Sequence, residues 1–118
     1  MNFRKLNERF YAMRALVGTK GHCICADCIF YAKKIMVNDA LVEFLHTRGL
    51  DPLKADEVWC YTEKDGYKYY TVDFFEIYAD REETHTFDNA KISITTNSYA
   101  EKEQLPYVCS IDLHLFVS

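Results

Sequence analysis

The sequence predicts an α+β fold: about three N-terminal helices packed on an antiparallel meander sheet of about four strands. Three observations predict it. Apolar residues recur at spacings of three and four through the first fifty residues, the period of one helix face. From Val58 onward the period drops to two and β-branched and aromatic residues dominate. Helical patterns precede strand patterns without alternating with them, which excludes a βαβ-built parallel sheet. At 118 residues the chain has room for one domain, 1–118, with a helical part at 1–50 and a sheet part at 58–118.

The first helix is predicted from the stripe Phe3, Leu6, Phe10, Met13 and Leu16/Val17, and Gly18 and Gly21 end it near Val17. A second helix starts around Cys25–Asp27 and carries Ile29, Phe30, Ala32, Ile35 and Met36 to Val37. Asn38 is a good N-cap for a third, through Ala40, Leu41, Phe44 and Leu45. Gly49 fits the position just past its end, where a left-handed backbone is wanted, and Pro52 prevents continuation. Val58–Thr62 is a strand, Asp65-Gly66 a two-residue hairpin turn, and Tyr67–Tyr78 a long aromatic strand. Asp80–His85 is expected as a loop or widened hairpin end, Lys91–Thr95 as a strand, and Asn97–Pro106 as a polar connection. The last strand, Tyr107–Val117, puts Cys109, Ile111, Leu113 and Leu115 on one face and Ser110, Asp112 and His114 on the other.

Composition narrows the function classes. No run approaches the ~18 apolar residues of a membrane helix, and residues 1–9 lack an apolar secretory core, so a cytoplasmic protein is expected. Charge is uneven: residues 1–50 carry +4, and residues 51–118 carry fourteen Asp/Glu against six Lys/Arg, or −8. An acidic C-terminal portion opposes direct nucleic-acid binding, where cationic phosphate contacts supply most of the affinity. It suits a basic protein partner. Glycine-rich phosphate loops, HExxH and GxSxG are absent, and enzyme is the less favoured class.

The densest chemical feature is His22-Cys23-Ile24-Cys25-Ala26-Asp27-Cys28. Cys23, Cys25, Cys28 and His22 together could make a tetrahedral zinc site, although no second Cys or His pair follows. A Cys-x-x-Cys at a helix start could be redox-active instead, because a helix N-terminus favours thiolate. Plain reduced thiols packed between helices are the third alternative. The only cofactor the sequence suggests is therefore a structural zinc.

Three pieces in order carry a resemblance: Cys25-Ala26-Asp27-Cys28-Ile29-Phe30-Tyr31, then Phe44-Leu45-x-x-x-Gly49-Leu50-Asp51-Pro52-x-Lys54-x-x-Glu57, then Asp65-Gly66-x-x-x-Tyr70 leading into Val72-Asp73-Phe74-Phe75. Over roughly residues 23–78 the chain resembles small bacterial immunity proteins found beside polymorphic or contact-dependent toxins. The resemblance implies inhibition by binding: occlusion of the active surface of a cognate toxin domain, in many cases a basic nuclease. The surface expected to do so is acidic and Tyr-rich. It comprises Glu63, Asp65, Tyr67, Tyr69, Asp73, Asp80, Glu82 and Glu83, with Tyr67, Tyr69 and Asp73 on the exposed side of the long strand beside the acidic loop.

Overall fold

The computed structural model describes residues 2–96 and 106–117. Three α-helices precede a five-stranded antiparallel sheet. The helices are α1 (Phe3–Tyr11), α2 (Ala26–Lys34) and α3 (Asp39–Thr47), with a 3-10 turn, Ile35–Val37, between the last two. The strands are β1 (Glu57–Lys64), β2 (Tyr67–Ile77), β3 (Glu83–Phe87), β4 (Ala90–Thr96) and β5 (Tyr107–Phe116).

The predicted α+β class with N-terminal helices holds, with three corrections. There are five strands, because Glu83, Thr84 and His85 belong to β3 and not to a loop. The strand order is β1-β2-β5-β4-β3, so the sheet is not one continuous meander: β5 enters between the β1–β2 hairpin and the β3–β4 hairpin. The polar connection expected at 97–106 lies, apart from Pro106, outside the described residues.

Helix α1 supplies the third correction: it stops at Tyr11, and its buried face is not the apolar stripe. Met13 is 93% exposed and Phe10 lies at the surface, whereas Asn7 and Tyr11, one turn apart, are buried. Polar tips decide this. The Asn7 side-chain amide donates to Arg48 O at 2.8 Å and to Tyr78 O at 2.9 Å, and its carbonyl accepts from Tyr78 N at 2.6 Å. The Tyr11 hydroxyl donates to Asp56 at 2.6 Å. Asp56 also accepts Phe75 N at 2.8 Å, where the β2–β5 register shifts.

Asn38 caps α3 by accepting from Leu41 N, and Gly49 follows at φ +76°, both as expected. The Asp65-Gly66 turn has φ of 55° and 84°, the two left-handed residues of a type I′ hairpin.

The core lies between the helices and one face of the sheet. Tyr70, Val72, Phe74, Ile92, Ile94, Cys109, Ile111 and Leu113 from the strands meet Tyr31, Ile35, Leu41 and Leu45 from the helices. Buried hydroxyls are spent on carbonyls: Tyr31 donates to Pro52 O at 2.7 Å and Tyr70 to Asp27 O at 2.6 Å. Among the described residues, the opposite face of the sheet carries no helix.

Candidate functional site

Strand alternation sends Tyr67, Tyr69, Thr71 and Asp73 to the uncovered face of β2, opposite the buried Tyr70, Val72 and Phe74. Register then sets their neighbours. On β5, Phe116, His114, Asp112 and Ser110 stand opposite Tyr67, Tyr69, Thr71 and Asp73. On β1, Trp59 stands opposite Thr71 and Glu57 opposite Asp73. The β1–β2 register slips between Cys60 and Thr62, and the extra residue is Tyr61, an aromatic inserted at a bulge on an edge strand.

The result is a file of six rings running across three strands. Successive centroids are 6.2 Å apart for Trp59 and Tyr61, 6.4 Å for Tyr61 and Tyr69, and 5.5 Å for Tyr69 and His114. The file continues at 5.2 Å from His114 to Tyr67 and 5.3 Å from Tyr67 to Phe116. Trp59 is 61% exposed and Phe116 55%. Each ring covers part of its neighbour, which limits the apolar area in water but leaves a ridge of large, rigid side chains facing outward.

Carboxylates accompany the ridge. Glu57 and Asp73 occupy directly opposed positions on β1 and β2, and Asp112 stands between Thr71 and Lys91. Like charges facing each other across strands destabilise a sheet. Tolerating such a pair on an open face is the kind of local conflict that marks a site.

Of the residues expected in the acidic, Tyr-rich surface, Tyr67, Tyr69 and Asp73 lie on this face. Of the others, only Asp65 adjoins them, in the hairpin turn whose Gly66 lies beside Phe116. Glu63 shares the Lys68 ammonium with Asp27 of α2, 2.9 Å from each, on the helix-bearing side. Asp80 and Glu82 lie past the other end of β2, about 33 Å from Tyr67 at an ordinary strand rise. Glu83 also turns to the helix side, where it pairs with Arg48 at 2.7 Å and with His85 at 2.8 Å, its side chain 10% exposed. Asp80 and Glu82 therefore cannot act beside Tyr67, and Glu83 is already engaged. The ridge's other members, Trp59, Tyr61, His114 and Phe116, were legible only by adding registers across strands, which a single sequence does not supply.

The thiol cluster is a second site. Cys25 is the N-cap of α2, and its sulfur accepts Cys28 N–H at 3.4 Å. The Cys25 amide donates in turn to Cys23 Sγ at 3.5 Å. Cys28 is buried, its sulfur against Val58 O of β1. The Cys23, Cys25 and Cys28 sulfurs all lie within 4.8 Å of one another, close enough to hold one metal ion. The hydrogen bond from Cys28 N–H, with a second from the Cys23 thiol, holds the exposed Cys25 thiol below its usual pKa, while burial pushes Cys28 up. His22, expected as a fourth ligand, lies outside the group of three sulfurs; its Nε2 is 2.8 Å from Ala55 O, and its buried Nδ1 has no hydrogen-bond partner among the described residues. Cys60 and Cys109 stand apart, in strands, as expected of small core residues.

No family model, curated protein or solved structure matches the chain. Among the described residues no helix is long and apolar enough to cross a membrane.

Proposed function

We propose that this chain is a binding protein that neutralises a bacterial toxin domain, as an immunity protein in the cytoplasm of the cell that makes the toxin. The observation that carries the reading is the uncovered sheet face with its six-ring ridge. Aromatic side chains bury large area at low entropic cost and are the commonest anchors of protein interfaces. The charge on the face says what kind of partner fits. Glu57, Asp73 and Asp112 lie on this face with two cations, Lys64 opposite Tyr67 and Lys91 opposite Asp112, so the face carries a small acidic excess that would steer a basic surface toward it. Five free thiols suit a reducing compartment.

The test is co-expression with the toxin domain encoded beside this gene. The wild-type chain should restore growth, and Trp59→Ala with Tyr69→Ala should abolish the rescue while leaving the fold intact by circular dichroism. Rescue by the double variant would sink this reading.

A second feature has its own support. The three sulfurs within 4.8 Å favour a structural zinc bound by Cys23, Cys25 and Cys28. Zinc content by mass spectrometry of protein purified without chelator tests it, with a Cys23/Cys25/Cys28→Ser variant as the blank.

A further inference from the structure

We infer that Cys25 and Cys28 form a thiol–disulfide exchange site: Cys25 attacks a low-molecular-weight disulfide such as oxidised glutathione, and Cys28 resolves the adduct into a Cys25–Cys28 disulfide. The inference rests on the arrangement of the thiols and not on a bound metal. It goes beyond the zinc reading, because closing the pair on itself leaves the cluster only Cys23 to hold an ion.

The surroundings of the sulfurs divide the roles. Cys25 is exposed, so a soluble disulfide reaches it. It is the N-cap of α2 and accepts Cys28 N–H at 3.4 Å, a setting that favours the attacking, anionic form of sulfur. Cys28 is 2% exposed, its sulfur against Val58 O of β1, and is shielded from an external disulfide. Its sulfur nevertheless lies within 4.8 Å of Cys25 Sγ. Residues three apart on a helical turn share a face, so side-chain rotation brings the two sulfurs toward the ~2.05 Å of a disulfide. Cys23 is also near, but its sulfur accepts the Cys25 amide, and a ring closed across one residue is tighter than one closed across two. Cys60 and Cys109 lie outside the group: Cys109 is buried, and Cys60 donates to Thr62 O at 3.5 Å.

The exchange balances. The Cys25 thiolate bonds to one sulfur of the external disulfide, whose S–S bond breaks and releases one thiolate. Cys28 gives its proton to water and bonds to Cys25 Sγ, and the second thiolate leaves. Two cysteine thiols are oxidised, and one external disulfide is reduced to two thiols.

The test incubates reduced chain with excess oxidised glutathione, with and without a chelator, then unfolds it and alkylates the remaining thiols. Before alkylation the product should be about 2 Da lighter than the reduced chain, and three of its five thiols should remain open to alkylation. In the tryptic peptide spanning residues 21–33, Cys23 should carry the alkyl group, and fragmentation should be silent between Cys25 and Cys28. Cys25→Ser should lose no thiol, and Cys23→Ser should still close the Cys25–Cys28 bond. Cys28→Ala, with its fold checked by circular dichroism, should stop at a glutathione adduct on Cys25, about 305 Da heavier. The wild-type peptide map decides the pairing even if Cys28→Ala does not fold. Five alkylated thiols with and without chelator, or a bond made by Cys23, Cys60 or Cys109, would overturn the exchange site. Zinc content is measured separately, so either result leaves the zinc reading to its own test.

Discussion

Asn7 holds three elements together through one side chain. It is 1% exposed, and its three hydrogen bonds satisfy the carbonyl that ends α3 and both backbone groups of Tyr78 at the end of β2. Asn7→Leu keeps the volume and removes every bond, leaving backbone groups without partners in a partly buried setting. A loss of about 2–4 kcal/mol in urea unfolding is expected. A loss under ~0.5 kcal/mol would show that water replaces the amide. Glu83 makes a prediction about acid. Burial opposes its charge, but the hydrogen bonds from His85 and Arg48 outweigh burial and hold its carboxyl below the ordinary value of 4.5. With the folded pKa below the unfolded one, the stabilisation is complete above pH 4.5 and is lost as pH falls through the folded value. The stability gap between wild type and Glu83→Gln should therefore be widest near neutral pH and narrow steadily below pH 4.5. A gap that widens on acidification would contradict the sign. Neither residue was legible in its role. Helical periodicity counts apolar groups, and Asn7 is buried for its hydrogen bonds, while Glu83 reads as one more acid in a polar run until β3 turns it inward.

At the scale of elements, the joint after α3 packs against the backbone of α1. A Cβ on Gly49 would stand 2.1 Å from Arg4 O of α1, and Gly49 has φ of +76°. The positive φ alone costs an added side chain about 1 kcal/mol. The clash is with helix backbone, so α1 must also move, and it takes the Asn7 and Tyr11 bonds with it. Gly49→Ala should therefore cost about 3 kcal/mol or more by thermal or urea unfolding. A cost near 1 kcal/mol would mean that α1 shifts freely. Sequence showed the helix stop, because glycine after a periodic run has a physical meaning of its own. The approach of α1 was not visible, since it depends on residues 45 positions apart. The strands were legible for the same kind of reason: alternation and the Asp65-Gly66 turn are local signals. The order β1-β2-β5-β4-β3 is not local, and nothing in the pattern of β5 says between which strands it lies.

For the whole molecule, the sheet has one face spent on the core and one left uncovered by the described residues, and the two differ in chemistry. The covered face is aliphatic with Tyr70 and Phe74. The open face is the aromatic ridge with Glu57, Asp73 and Asp112 around it. Alternation along each strand was readable and put Tyr67, Tyr69 and Asp73 on one face, where they are half-buried and not exposed as expected. Their assembly with Trp59, Tyr61, His114 and Phe116 needed the registers, and the acidic loop expected beside them stands at the far end of β2. The central claim is that this face binds the toxin domain. The most direct measurement is calorimetric titration of that domain with wild-type chain, Tyr69→Ala, Trp59→Ala, and Glu82→Ala as the control beyond β2. Loss of about 1–3 kcal/mol of binding for each ridge variant, with Glu82→Ala near wild type, is the expected result. Unchanged affinity in both ridge variants, with both folded, would contradict it.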